Sequence, residues 1–138
     1  MYKRQTRFLV ERLTWLAEDH GRKVNLYFES RATTSYGSLQ QYLRTVQEGA
    51  GSTIKADRIG EVRPVSPTWK GAQLADFYVS AAAEALEPDL DGYTEPDYFL
   101  RVRHQLYRHP KRSVLSYGFK VFPNEAVNFE KHGWLRDL

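Results

Sequence analysis

The sequence predicts an α/β fold with a small, mostly parallel sheet and flanking helices, on three observations. Two short stretches alternate apolar and polar residues with the period of a strand. Longer stretches before, between and after them repeat apolar residues with the period of a helix. The helical stretch between the two strands acts as a crossover, which makes the strands parallel and the connection right-handed. With 138 residues, 41% of them hydrophobic, the chain 1–138 suits one compact domain. Three Trp, nine Tyr and seven Phe supply bulky anchors and argue against disorder.

The first helix is predicted to run through His20. Leu9, Leu13 and Leu16 lie at i, i+4 and i+7, Phe8 and Trp15 widen the apolar face, and Gly21 is a suitable stop. The first strand follows at Lys23 to Glu29, with Val24, Leu26 and Phe28 on one face and Asn25, Tyr27 and Glu29 on the other. A helix after Arg31 sets Leu39, Leu43 and Val46 on one side and stops at Gly49. The second strand is expected around Glu61 to Val65, at a sheet edge because Pro64 cannot donate a ladder hydrogen bond.

Ser66 and Pro67 read as N-cap and first position of a third helix reaching Glu87. This helix is mostly apolar, with Gln73, Asp76, Ser80, Glu84 and Glu87 as a single polar stripe on a largely buried rod. After a turn at Pro88 to Gly92, a helix from about Thr94 turns Phe99, Val102 and Leu106 inward. Val114 to Phe122 reads as a short strand or extended segment.

Composition narrows the function classes. The absence of cysteine excludes a disulfide scaffold, a thiolate metal site and a thiol nucleophile, and it suits a cytoplasmic protein. No apolar run approaches the ~20 residues of a membrane span, and the basic N-terminus leads into no signal-peptide segment. A net charge of +3 permits a polyanionic partner without demanding one.

The predicted sheet has a defect. Two strands leave two open edges, and Val24 to Phe28 has the apolar character of a central strand with no neighbour on one side. The sequence therefore predicts a half-domain whose N-terminal strands are missing. A second chain or protomer pairing with residues 24–28 would complete it.

Two acids stand out as catalytic and metal-binding candidates. Glu29 ends the first strand, where the sites of open α/β sheets gather. Asp76 lies mid-helix, three residues after Gln73. Such carboxylates suit Mg2+ or Mn2+, which take hard oxygen ligands and several waters. The plainer reading is a solvated strand end and the wet face of an amphipathic helix.

Three segments resemble the family called domain of unknown function 3800. They are Phe28-Glu29-Ser30-Arg31 ending a strand, Gly71-Ala72-Gln73-Leu74-Ala75-Asp76-Phe77 opening a helix, and Tyr117-Gly118-Phe119-Lys120-Val121-Phe122-Pro123. The resemblance spans about Val24 to Pro123 and is most specific at Gln73 to Asp76. It implies a partial RNase H-like fold and a metal-dependent, nuclease-type acidic site. Glu29 and Asp76 would be its surviving acids, with Gln73 and Ser30 as supporting motif residues. The Asp-Glu-Ser-Gly-like first strand of the family does not precede the first helix, so the implied site is incomplete and the chain is expected to be inactive alone.

Arg101, Arg103, Arg108, Lys111 and Arg112, interspersed with His104, Tyr107 and His109, form a candidate nucleic-acid track. A solvated helix face and loop explains the same residues. His104 and His109 have the wrong helical offset for a zinc pair. Asp89-Leu90-Asp91-Gly92 reads as a turn rather than a calcium loop.

Overall fold

A computed structural model describes residues 2–29, 36–48, 53–110, 114–121 and 125–138. These residues form two compact units, Met1–Gln73 and Leu74–Leu138. The described elements are α1 (Tyr2–Asp19), β1 (Val24–Glu29), α2 (Tyr36–Glu48), β2 (Ile59–Val65), α3 (Lys70–Leu86), α4 (Asp97–Val102) and α5 (Glu125–Lys131), with short 3-10 turns at Ala56–Arg58, Arg103–Gln105 and Gly133–Asp137. None of the described helices is long and apolar enough to cross a membrane.

In the first unit β1 and β2 pair in parallel, as the crossover through α2 predicts. The fold is thus mixed α/β with a two-stranded parallel sheet and flanking helices. Val10 of α1, Leu26, Leu43 of α2 and Ile54 form its buried core, with Leu13, Val24, Phe28, Ile59 and Val62 packed against them. In β2, Ile59 and Val62 lie three apart yet serve the same face. A register irregularity between the Val24 and Leu26 pairings explains this, because it places one extra β2 residue opposite Asn25. The Asn25 side chain fills the gap: its Oδ1 accepts the Glu61 backbone N–H at 2.9 Å. Gly60 makes room for this contact, since a Cβ there would displace the Asn25 amide oxygen from it.

α1 departs from its predicted face. Val10, Glu11, Thr14 and Ala17 are buried, whereas Leu9 is exposed. The inward stripe is turned by about one residue from Leu9–Leu13–Leu16, toward smaller side chains and two polar ones. Glu11 pairs with Arg12 and accepts the Thr53 hydroxyl. Thr14 Oγ1 donates to the Glu11 carbonyl at 2.9 Å and accepts the Lys55 N–H at 3.2 Å. Trp15 Nε1 donates to the Thr53 carbonyl at 2.8 Å. Together these bonds pin residues 53–55 to the helix, and Ile54 enters the core between them. Gly21 ends α1 as predicted: its φ is +61°, its N–H bonds to the Glu18 carbonyl, and the Arg22 N–H bonds to the Ala17 carbonyl.

Two further predictions about local structure need correction. β2 starts at Ile59, before the predicted Glu61. α3 starts at Lys70 rather than at Pro67. The Ser66 carbonyl closes a turn onto the Trp69 N–H, and the Trp69 carbonyl receives the Ala72 and Gln73 N–H groups. Ser66 therefore caps the turn, and its hydroxyl accepts the Thr68 N–H at 3.2 Å.

The second unit is built on Ala81 and Ala85 of α3 and Phe99 of α4. The Phe99 ring meets Phe119 at 4.9 Å and Trp134 at 5.7 Å between centroids. α3 is not the buried rod that its composition predicts. Only Ala81 and Ala85 are buried along it, while Leu74, Phe77 and Val79 are more than half exposed. Residues 114–121 contain no strand. They make a tight turn in which the Ser116 N–H bonds to the Phe119 carbonyl and both Tyr117 and Phe119 bond back to the Val114 carbonyl. The predicted extended segment is replaced because Ser116 takes a φ of +72°, which reverses the chain. Gly118 lies so close to the Tyr107 backbone that a Cβ would overlap it, so the glycine in this segment has a packing reason. α5 and the 3-10 turn after it carry no strong helical repeat in the sequence; Trp134, Leu135 and Leu138 anchor this region by tertiary contact.

Candidate functional site

Glu29 stands at the carboxyl end of β1, opposite Val65 of β2, and is half-buried. It shares the sheet face that points away from the α1–α2 core with Asn25 and Tyr27, as strand alternation dictates. That face carries a connected polar cluster. The Tyr27 hydroxyl donates to Glu61 Oε2 at 3.0 Å and receives Asn25 Nδ2 at 3.3 Å. Arg63 pairs with Glu61 at 3.3 Å and lies over the Tyr27 ring, 4.8 Å from its centroid. Trp69 meets Tyr27 edge-on at 5.2 Å and keeps 42% of its surface exposed. Gly71 leaves the room that the Trp69 ring occupies.

The other predicted site residues fall as follows. Asp76 is exposed on α3 and belongs to the second unit, whereas Glu29 belongs to the first. Gln73 is exposed at the end of the first unit. The rest of the predicted polar stripe, Ser80, Glu84 and Glu87, is also exposed. Ser30, Lys111 and Arg112 lie outside the described residues. Among the described residues no group of three or more His, Asp or Glu side chains is arranged to hold a metal. One strand-end carboxylate does not by itself fit a two-metal clamp, which needs several oxygen donors at fixed spacing.

The basic segment splits by role. Arg101 at the end of α4 and Arg103 in the following turn are exposed and line an open surface depression with Asp97, Leu100 and His104. Arg108 is engaged within the unit, donating to the Leu138 carbonyl at 2.7 Å. The Asp89 segment is a turn, as expected. Asp89 Oδ1 accepts the Asp91 and Tyr93 N–H groups, each at 2.9 Å, and Gly92 takes a φ of +86°.

Sequence reasoning missed two clusters. The sheet-face network was partly legible, because Asn25, Tyr27, Glu29, Glu61 and Arg63 alternate on their strands; the slip at Gly60 that aligns them was not. Glu11 gave no signal, since a glutamate in an exposed-looking stretch of helix has no reason to be buried until its partners are known.

Comparison of the chain with family models, with curated proteins and with solved structures finds no match.

Proposed function

We propose that this chain is a subunit or remnant of a metal-dependent, RNase H-like, nuclease-type domain, with Glu29 as its strand-end acid. In this reading Mg2+ or Mn2+ binds tightly only when strands outside this sequence bring further carboxylates to β1, so the chain alone does not hydrolyse phosphodiesters. The observation that supports it most is the position of Glu29. It ends a strand of a parallel β–α–β unit, and among the described residues no strand pairs with the far edge of β1. Functional groups of open α/β sheets collect beyond the carboxyl ends of such strands. The Gln73–Asp76 motif supports the same family reading from the sequence.

A weak, localised cation site is the expected result. Millimolar Mn2+ added to the isotope-labelled chain should broaden the amide signals around Glu29 first, and Glu29→Gln should abolish that effect. Calorimetry should find no tight Mn2+ binding. Tight binding to the isolated chain would mean that the site is already complete, and broadening centred elsewhere would remove Glu29 from it.

A non-catalytic role is the second reading, favoured by the exposure of Arg101 and Arg103 around one depression. Here the chain engages nucleic acid through phosphate contacts or a partner chain through the strand edge. If phosphates are contacted, replacing both arginines by Ala should weaken oligonucleotide binding and reduce its log–log salt slope by about 2. Wild-type binding that is indifferent to salt would rule this reading out.

A further inference from the structure

Lys23 to Glu29 is chemically palindromic. Reading outward from Leu26, the residues are polar Asn25 and Tyr27, apolar Val24 and Phe28, then basic Lys23 and acidic Glu29. β1 and β2 each have a far edge with no pairing strand among the described residues. β2 contains Pro64, which has no N–H to give a ladder, so β1 is the better template. A two-stranded sheet is marginal, and an unprotected edge is a template for another strand.

We propose that β1 pairs with β1 of a second copy of this chain, antiparallel and centred on Leu26, to give a continuous four-stranded sheet in the order β2-β1-β1-β2. Symmetry selects this arrangement. Two copies that meet through the same edge are related by a two-fold axis. An axis along the strands would make them parallel, put their core faces on opposite sides, and set Lys23 beside Lys23 and Glu29 beside Glu29. An axis normal to the sheet makes them antiparallel and keeps Val24, Leu26 and Phe28 of both copies on one face. Directly opposed residues must then share a face, so the centre falls on a residue. Centring on Leu26 opposes Val24 to Phe28, Asn25 to Tyr27 and Lys23 to Glu29 of the second copy. Shifting the centre to Asn25 or Tyr27 loses the ion pairs. The registry thus sets two opposite-charge pairs at the rims of the new ladder and an apolar ladder along its core face.

This inference goes beyond the nuclease reading and does not depend on it. The two Glu29 carboxylates lie at opposite ends of the paired strands, about 20 Å apart at 3.3 Å per residue, so the second copy does not complete an acidic site. It occupies the edge that an acid-bearing strand would need, and the two partners exclude each other.

Sedimentation of the full chain without metal, over a concentration series, tests the pairing. The wild type should show a concentration-dependent dimer. Lys23→Glu and Glu29→Lys each replace two attractive cross-strand pairs with two repulsive ones and should weaken the dimer about tenfold or more. The Lys23→Glu, Glu29→Lys double variant restores opposite charges in this register alone and should recover dimerisation. Far-UV circular dichroism establishes that each variant is folded. A wild type that stays monomeric, a dimer indifferent to both reversals, or a double variant no better than the singles would overturn the proposal. Because no cation enters the assay, its failure leaves the Mn2+ experiment on Glu29 untouched.

Discussion

Phe99→Ala should unfold most of the second unit. Phe99 is 3% exposed and joins α3, α4 and the 114–121 turn through Ala81, Ala85 and Phe119, with Trp134 closing the far side. Deleting a buried phenyl ring costs about 3–5 kcal/mol through lost transfer energy and the cavity left behind. A unit of this size has about 3–10 kcal/mol of total stability, so the loss consumes much of it. α4 spans only Asp97–Val102 and is too short to persist without its packing. Amide hydrogen exchange gives the readout: protection in α4 and around Val114 should collapse while β1 and β2 keep theirs. Phe99→Leu retains most of the volume and should cost less than half as much. Unchanged protection in the alanine variant would show that Phe99 is not the keystone of this unit.

Glu11→Ala should destabilise the first unit by about 3 kcal/mol, because breaking a buried ion pair strands the remaining charge. The Arg12 and Glu11 side chains are only 14% and 8% exposed, and the same carboxylate receives the Thr53 hydroxyl. The Arg12 guanidinium also lies 4.6 Å from the Trp15 ring, so loss of Glu11 disturbs the neighbour that bonds to the Thr53 carbonyl. Glu11→Gln keeps a hydrogen-bond acceptor for Thr53 and should lose less. Urea unfolding followed by exchange protection in α1 and β1 separates the two variants. A shift below about 0.5 kcal/mol for Glu11→Ala, the range of an ordinary surface substitution, would reduce the pair to a surface feature.

Glu11 and Leu9 also mark the limit of pattern reading. The repeat of Leu9, Leu13 and Leu16 identified a helix correctly, because any stripe near 3.6 residues signals one. It misplaced the buried face, because hydrophobicity ranks Leu9 above Thr14 whereas the structure ranks them by fit. A buried Thr14 is stable once its hydroxyl both donates to Glu11 and accepts from Lys55. α3 illustrates the converse. Its apolar composition suggested burial everywhere except one polar stripe, yet only Ala81 and Ala85 are buried along it.

The sequence alone determined the α1–β1–α2–β2 order, the parallel pairing of the strands, the face that Glu29 shares with Tyr27, and the turn at Asp89. Each depends on a local period, a glycine or proline, or the short-range rule that a crossover makes strands parallel. Tertiary structure decided the slip at Gly60, the buried Glu11–Arg12 pair, the chain reversal at Ser116 and the division of Glu29 and Asp76 between two units. The slip and the burial of Glu11 depend on partners far apart in the chain, Asn25 with Glu61 and Glu11 with Thr53, and no local period carries that information. The Ser116 reversal is local, yet it needs a positive φ that a non-glycine residue does not announce.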